Sequence, residues 1–366
     1  YLGMTATPER TDGKNIYEIF DYNIAYEIRL QDALENDMLC PFVYFGVKDI
    51  EIDGQLIDEK SNISNLTSDE RVKHILNKID FYGVCNNQVR GLIFCSSKAE
   101  ARELSIKLNQ HGKRTIALTG DDDINYREKV VKQLEDGKLE YILTVDIFNE
   151  GIDIPSVNQV VMLRNTQSSI IFVQQLGRGL RKHKSKDYVT IIDFIGNYKN
   201  NYLIPIALFG DKSMNKDNYR RELREPNILS GLTTVNFEEV AKEQIFKSIT
   251  NTVLSNMKIL KDAYTDLENK LGRTPMLIDH LTFDNIDPIV FFNNNSFKNY
   301  ADVINKFSNK SIELTDTESN WLSFITFELL PGKRKHELLL LQELIKQDKV
   351  SKDKFIEILE TEQLST

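Results

Sequence analysis

The sequence predicts an α/β protein, in which a parallel sheet is covered by helices on both faces, followed by a separate all-α domain. From Gly91 to Phe194, short apolar runs alternate with amphipathic helical patterns, and the connections between them are short. This alternation is typical of a parallel sheet buried on both faces. From Phe237 onward the apolar residues recur mostly at helical spacing. The breaks in that spacing fall at Gly272, Pro275, Pro288 and Pro331–Gly332.

The predicted elements of the sheet follow in order along the chain. A first strand is predicted at 42–47. A helix is predicted at 68–85, where Val72 and Ile75 begin an apolar helical spacing. The later strands are predicted at 91–95, 115–118, 141–145, 157–163 and 188–194. The helices between them are predicted at 98–111, 124–135 and 168–176.

The remaining segments complete the domain organisation. Residues 211–235 are charged and rich in Asn and Arg without an apolar period, so we predict a linker there. We also expect a short helix after Lys14, a strand at 22–29, a hinge at 31–37 and a loop at 49–66. Helices of the all-α domain are predicted at 237–260, 271–283, 297–307, 318–330, 336–345 and 352–359. The predicted domains are 1–38 (the tail of an earlier domain and a hinge), 39–210 (the α/β domain), 211–235 (the linker) and 236–366 (the all-α domain).

Composition excludes several classes of protein. The 366 residues are 41% hydrophobic and 28% charged, and no apolar run is long enough for a membrane helix. The three isolated cysteines form neither a disulfide framework nor a metal site, so we expect a reducing, cytoplasmic location. The net charge of −9 argues against a protein that coats nucleic acid by bulk charge. A local basic groove stays possible.

The chain begins at Tyr1 and continues directly into the apolar, small-residue run Leu2–Pro8. Such a run is typical of the end of a buried strand and the turn after it. A lone buried strand has nothing to pair with, so we expect this chain to be a fragment of a longer protein.

Residues Gln174–Arg181 contain the sharpest motif. Arg178 and Arg181 lie three positions apart beside Gly177, so both guanidinium groups can point at one anion. The alternative is a basic helix end that binds its own carbonyl groups. The apolar run before the motif favours a held, functional geometry.

Three further segments carry polar residues at predicted strand ends. Asp146, Gly151 and Asp153 follow the strand at 141–145; a glycine there permits close backbone approach, and a carboxylate can bind a sugar hydroxyl. Ser96 and Ser97 follow one strand, and Thr119 and Gly120 follow the next. Hydroxyls and amides at such positions can bind phosphodiester oxygens, but each is equally suited to cap the following helix.

Together and in this order, these segments resemble the motifs of superfamily 2 helicases. Thr5–Pro8 looks like motif III, Leu92–Ser97 like motif IV, Leu143–Pro155 like motif V and Gln174–Arg181 like motif VI. The amino-acid sequence of Gly3–Arg10 is most similar to that of type III restriction subunits and related DNA translocases. The resemblance covers about residues 1 to 210, and it implies that 39–210 is the second of two RecA-like domains of a P-loop NTPase.

The resemblance also implies roles for the matching residues. Arg178 and Arg181 are expected to act as arginine fingers on the γ-phosphate of ATP, with Gln174 beside that phosphate. Gly151, Asp153 and Gly177 are expected to meet the nucleotide. The implied contacts to a nucleic-acid strand, DNA rather than RNA, are Ser96, Ser97, Thr119, Gly120 and Asp146. Thr5 and Thr7 would couple hydrolysis to domain movement.

Two departures from the family pattern affect these expectations. Val145 stands where many relatives have Thr, although Thr144 next to it could supply the hydroxyl. No G-x-x-x-x-G-K-[ST] phosphate loop and no acidic metal-holding pair is present. We therefore expect ATP and Mg²⁺ to be held mainly by a preceding domain, and this chain alone to be inactive.

The all-α part offers weaker signals. The basic cluster at Gly332–His336 could touch phosphate or be a solvated face, and the aromatic residues between Phe283 and Tyr300 are expected to form core. The helices resemble an uncharacterised domain found behind some bacterial members of this helicase branch. Two other interpretations of the whole chain stay open: a non-catalytic nucleotide- or nucleic-acid-binding module, and the motor part of a helicase–nuclease.

Overall fold

The computed structural model describes the residues 2–4, 15–52, 54–58, 60–145, 154–164, 172–173, 177, 179–224, 227–229, 233–330, 335–347 and 349–362. The chain divides into two compact units. The α/β unit comprises 25–211 and 215–252, and the helical unit comprises 1–24, 212–214 and 253–366. Within the described part, no helix combines the length and the apolarity needed to cross a membrane.

The α/β unit is built on one large, mostly parallel sheet. Its strands are β1 (Phe42–Lys48), β4 (Gly91–Phe94), β5 (Thr115–Leu118), β6 (Tyr141–Thr144), β7 (Gln159–Met162), β8 (Val189–Ile195), β9 (Asn227–Leu229) and β10 (Thr233–Phe237). Their order is β5-β6-β4-β7-β8-β1-β10-β9, and every pairing is parallel except that of β9 with β10. The predicted fold class, a parallel RecA-like sheet followed by helices, is confirmed.

Helices connect these strands, and those at 69–82, 98–110 and 124–135 confirm predicted helices, whereas most of the helix predicted at 168–176 lies outside the described residues. They are α1 (Leu30–Glu35), α2 (Ile63–Leu66), α3 (Asp69–Tyr82), α4 (Lys98–Gln110), α5 (Ile124–Glu135), α6 (Leu203–Phe209), α7 (Lys216–Arg224) and α8 (Glu239–Asn251). Ser68, Ser97 and Asp123 cap the N-termini of α3, α4 and α5 through their side chains, because each accepts a hydrogen bond from the backbone N–H three residues on. The apolar faces of α3 and α4 share one core with the central strands.

Three predictions at the start of this unit are wrong. Residues 22–29 form no strand, and the expected hinge at 31–37 is largely helix α1. The alternation at 22–29 has no paired strand beside it, and its residues are mostly exposed. The expected loop at 49–66 contains the short hairpin of β2 (Glu51–Ile52) and β3 (Gln55–Leu56), followed by α2.

The predicted linker at 211–235 also differs from the structure. It contains α7 and most of the sheet edge formed by β9 and β10. Only Tyr219 and Leu223 of α7 are buried, but they lie four residues apart on one face and are enough to hold the helix against the unit. Helix α8, predicted as part of the all-α domain, belongs to the α/β unit, where it packs against β1.

The helical unit has a core of its own. Its helices are α9 (Met257–Leu271), α10 (Leu277–Thr282), α11 (Ile289–Phe292), α12 (Tyr300–Phe307), α13 (Asp316–Phe324), α14 (Lys335–Lys346) and α15 (Lys352–Thr361), with a π-helical turn at Ile325–Leu329 after α13. Phe291, Phe292 and Phe297 are buried in this core and Tyr300 packs against it, as predicted. The prediction that Phe283 is core is wrong, because this residue ends α10 at the surface, where it is 36% exposed and Lys270 lies over its ring. Asn15 donates a hydrogen bond to the carbonyl of Asn269, so the first residues described belong to this unit.

Candidate nucleotide and nucleic-acid interface

The carboxyl ends of five parallel strands lie level with one another at one edge of the sheet. Thr144 of β6 pairs with Leu118 of β5 and with Phe94 of β4. Phe94 pairs in turn with Met162 of β7, which pairs with Asp193 of β8. The loops that follow β4 and β5 therefore flank the end of β6. These two loops carry four of the five predicted nucleic-acid contacts, namely Ser96, Ser97, Thr119 and Gly120.

In the first loop, Ser96 and Ser97 are tied to the following helix. Ser96 donates its N–H (2.7 Å) and its hydroxyl (2.5 Å) to Oε2 of Glu100. Ser97 caps α4 by accepting the N–H of Glu100 at 3.1 Å. Ser96 is exposed and Ser97 is half-buried. Sequence reasoning missed Glu100. The pattern Ser-x-x-Glu at 97–100, typical of a capping box, was the available signal, although Glu100 accepts from Ser96 rather than from the N-cap residue Ser97.

Glu100 belongs to a buried group of charges. Arg71 donates to Oε1 of Glu100 at 2.7 Å and to both carboxylate oxygens of Asp49, at 3.1 and 2.8 Å. The side chains of all three are 0% exposed. Arg71 also donates to the carbonyls of Leu66 and Leu163, the residue after β7. Burial opposes the charge of Arg71, but the two carboxylates outweigh it and raise the pKa of the guanidinium.

In the second loop, Thr119 is buried and Gly120 is exposed. The N–H and hydroxyl of Thr119 both donate to Oδ2 of Asp122, at 2.7 and 3.2 Å. The carbonyl of Gly120 accepts from Arg127 at 3.0 Å. Thr119 therefore shapes the turn, and Gly120 is the member of the pair that lies on the surface.

Two further groups at this edge matter for the motif V expectation. Thr144 is fully buried and its hydroxyl has no hydrogen-bond partner among the described residues. It is therefore not available to replace the hydroxyl that Val145 lacks, and that expectation is wrong. Asp146, Gly151 and Asp153 lie outside the described residues, as do Thr5, Thr7, Gln174 and Arg178.

Sequence reasoning missed Asp193, a buried carboxyl at the end of this row. It accepts a hydrogen bond of 2.5 Å from the hydroxyl of Tyr44 and lines a cavity with Arg164, Tyr198 and Asn200. Burial raises the pKa of Asp193 to about 7, and the nearby charge of Asp49 acts in the same direction. Its position within the apolar strand 189–195 was the available signal, since a lone carboxyl there must be buried.

The described part of motif VI lies at the opposite, amino edge of the sheet. A Cβ on Gly179 would come within 3.1 Å of methyl groups of Val160 and Val189, so the glycine lets the backbone rest directly on β7 and β8. The buried ammonium of Lys186 donates to the carbonyl of Gly179 at 2.5 Å. The carbonyl of Leu180 accepts the N–H of Cys40, two residues before β1, at 2.7 Å.

Arg181 follows this anchored backbone directly, and it is exposed. Gly177, half-buried, has open space where a Cβ would lie. The structure thus places Gly177 and Arg181 on a different surface from Ser96, Ser97 and Gly120. Among the described residues, these two groups therefore lie apart from each other.

Comparison with known proteins agrees with this architecture. Residues 70–183 match the helicase conserved C-terminal domain, and residues 260–366 match a domain of unknown function, DUF8090. The IRC3 protein of Saccharomyces cerevisiae, named as an ATP-dependent helicase, is 28% identical over 204 residues, which are 53% of this chain and 29% of that protein. A Methanocaldococcus jannaschii protein named as an ATP-dependent RNA helicase is 29% identical over 108 residues, which are 30% of this chain and 29% of that protein.

A solved structure also aligns with most of the chain. The type ISP restriction-modification enzyme LlaBIII, bound to DNA, covers 91% of this chain with 26% of its own, at 16% identity and a TM-score of 0.43. The chain spans less than a third of the length of the two curated relatives named above. The α/β unit contains the C-terminal domain of a helicase-family protein. The DUF8090 region, residues 260–366, lies wholly within the helical unit.

Proposed function

We propose that this chain is the C-terminal part of an ATP-dependent DNA helicase or translocase, which couples ATP hydrolysis to movement along nucleic acid. The observation that carries the proposal is the helicase C-terminal match at 70–183, which includes motif VI up to Arg181. The amino-acid sequence of the motifs favours DNA over RNA as the substrate. The predicted location is the cytoplasm.

On the nucleotide side, this chain would contribute Arg178, Arg181 and Gln174 to the phosphates of ATP, and Gly151, Asp153 and Gly177 to the rest of the nucleotide. Arg181 fits this role because it is exposed and follows a backbone fixed by Gly179 and Lys186. A guanidinium held in this way can stabilise charge on the transferred phosphoryl group without first being ordered.

The Mg²⁺ ion would neutralise phosphate charge when bound. Among the described residues, no group of three or more His, Cys, Asp or Glu side chains could hold a metal ion. The sequence contains no G-x-x-x-x-G-K-[ST] phosphate loop and no acidic metal-holding pair before the motif at Thr5–Pro8, and we propose that another RecA-like domain supplies both. This chain's part is to present arginines to the γ-phosphate and to bind the strand.

On the nucleic-acid side, the chain would bind one strand at the carboxyl edge of the sheet. Of the predicted contacts there, Ser96 and Gly120 are exposed and Ser97 is half-buried, and we propose that Gly120 and Ser97 touch the strand. Ser96 would support them, since both of its donors are committed to Glu100. Contacts from backbone and hydroxyl groups to phosphates carry no base information, so binding should be largely independent of sequence.

The proposal is tested by arginine substitutions in the full-length protein. Arg178→Ala or Arg181→Ala should lower nucleic-acid-stimulated ATP turnover by at least about two orders of magnitude, with kcat falling more than KM rises. Lys should rescue little, since it lacks the planar pair of donors. Near-normal turnover of either Ala variant would show that this arginine only caps its helix.

A further inference from the structure

Three consecutive acids, Asp121, Asp122 and Asp123, lie at the edge where we propose that a strand of nucleic acid binds. The carboxylates of two of them form hydrogen bonds that stabilise the loop and the start of the next helix. Asp122 accepts the N–H and hydroxyl of Thr119, and Asp123 caps α5 by accepting the N–H of Tyr126 at 2.9 Å. The carboxylate of Asp121, by contrast, is bound by two cationic side chains.

These cations reach Asp121 from the neighbouring loop and helix. Lys98 donates to Oδ1 at 2.5 Å, and Arg102 donates to Oδ2 at 3.0 Å. Lys98 directly follows Ser97, and Asp121 directly follows Gly120. The ion pairs therefore link the loop after β5 to the start of α4, beside both predicted contacts.

In this arrangement two cations each bind one oxygen of the same anion. The two free oxygens of a backbone phosphate can be bound in the same way. All three side chains are about half exposed, at 50% for Lys98, 56% for Arg102 and 54% for Asp121. Exposed ion pairs contribute little to stability, so an incoming phosphate can displace the carboxylate at little cost. The pairing lowers the pKa of Asp121, which stays charged at neutral pH.

We propose that Lys98 and Arg102 form a phosphodiester-binding site of the nucleic-acid strand, and that Asp121 occupies it as a stand-in anion when no strand is bound. This inference rests on the proposed nucleic-acid function. Asp121 lowers affinity for free phosphate groups, and a strand already held by Ser97 and Gly120 displaces it. DNA and RNA share this chemistry, so both are used as probes.

The test is a salt titration of oligothymidylate and oligouridylate binding to the 366-residue chain. Asp121→Asn should tighten binding about two- to fivefold, the equivalent of losing ion pairs worth up to about 1 kcal/mol. Lys98→Ala with Arg102→Ala should weaken binding and reduce the log–log salt slope by about 0.7, since the two side chains share one phosphate and each single-strand phosphate contact contributes about 0.7.

Asp80→Asn is the matched control. Asp80 is also an exposed aspartate bound to a lysine, Lys113 at 2.8 Å, but this pair lies before β5, at the amino edge. It removes the same charge without touching the site. If wild type binds and Asp121→Asn equals Asp80→Asn, the stand-in anion is overturned and the proposed function stands. If no variant binds either oligonucleotide at low salt, both are overturned.

Discussion

The burial of Asp49, Arg71 and Glu100 gives the loop after β4 its fixed shape. One cation between two carboxylates leaves a net negative charge away from water, which is costly unless every oxygen is hydrogen-bonded. Here the remaining oxygen of Glu100 is bonded by Ser96. The loop thus supplies hydrogen bonds to the buried carboxylate of Glu100, and those hydrogen bonds fix the conformation of the loop.

Removing Arg71 should therefore be severe. Arg71→Met leaves two buried carboxylates without a cation, and we expect a loss of about 3–5 kcal/mol in the free energy of unfolding. The control is Arg102→Met, which breaks an exposed ion pair and a 3.3 Å hydrogen bond to the hydroxyl of Thr119, and which should cost far less. Chemical denaturation measures both. A cost below about 1 kcal/mol for Arg71→Met would contradict the account of the buried charges.

Asp193 predicts a pH dependence of stability. Its pKa rises from an ordinary 3.8 to about 7 in the folded protein, so between these values the folded chain keeps a proton that the unfolded chain has lost. The contribution of Asp193 to stability is therefore full below about pH 4 and is lost as the pH rises towards 7. The slope is up to about 1.4 kcal/mol per pH unit.

The comparison of wild type with Asp193→Asn isolates this group. The unfolding free energy of wild type minus that of Asp193→Asn should decrease as the pH rises from 4 to 7. Above pH 7 this difference should be constant. Tyr44→Phe removes the hydrogen bond that favours the carboxylate, so in that variant the decline should extend above pH 7. A wild-type-minus-variant difference that is constant from pH 4 to pH 8 would show that Asp193 titrates normally.

At the scale of elements, the end of motif VI depends on how closely its backbone approaches the sheet. Gly179→Ala would bring a methyl group to 3.1 Å from Val160 and Val189, both on central strands, and should destabilise the protein by about 1–3 kcal/mol. Gly177→Ala is the matched control two residues earlier, where the methyl meets open space. It should be neutral or stabilising by up to about 1 kcal/mol.

Thermal or denaturant unfolding of the two variants checks this pair. Equal effects of Gly179→Ala and Gly177→Ala would mean that the backbone at Gly179 does not rest on β7 and β8. In that case the argument that Arg181 follows a fixed backbone would lose its support.

The central strands could be predicted because the local sequence of each one is sufficient to identify it. Runs such as Leu92–Phe94 are apolar at every position, and they are bounded by polar helices with clear caps. The strands in the segment 211–235 could not be predicted from local sequence. Strand β10 is recognisable only by its pairing with β1, which lies nearly two hundred residues earlier in the chain. Likewise, the role of Glu100 was not predicted, because its pairing with Arg71 depends on how α3 and α4 pack.

At the scale of the whole molecule, two surfaces of the α/β unit carry different expected tasks. The carboxyl edge holds Ser97, Gly120 and the Lys98–Arg102 pair, and the amino edge holds the backbone that leads into Arg181. In a motor, one domain must sense the strand and the nucleotide at the same time. The continuous sheet between these edges is a rigid connection that can couple the two.

The most direct test of this account is steady-state ATP turnover by the full-length protein, measured against increasing concentrations of single-stranded nucleic acid. We predict saturable stimulation for wild type, its loss in Arg181→Ala, and unchanged strand binding by that variant. Turnover that does not respond to nucleic acid, or that keeps its full stimulation in Arg181→Ala, would contradict the proposal that this chain completes the ATP site of a helicase or translocase.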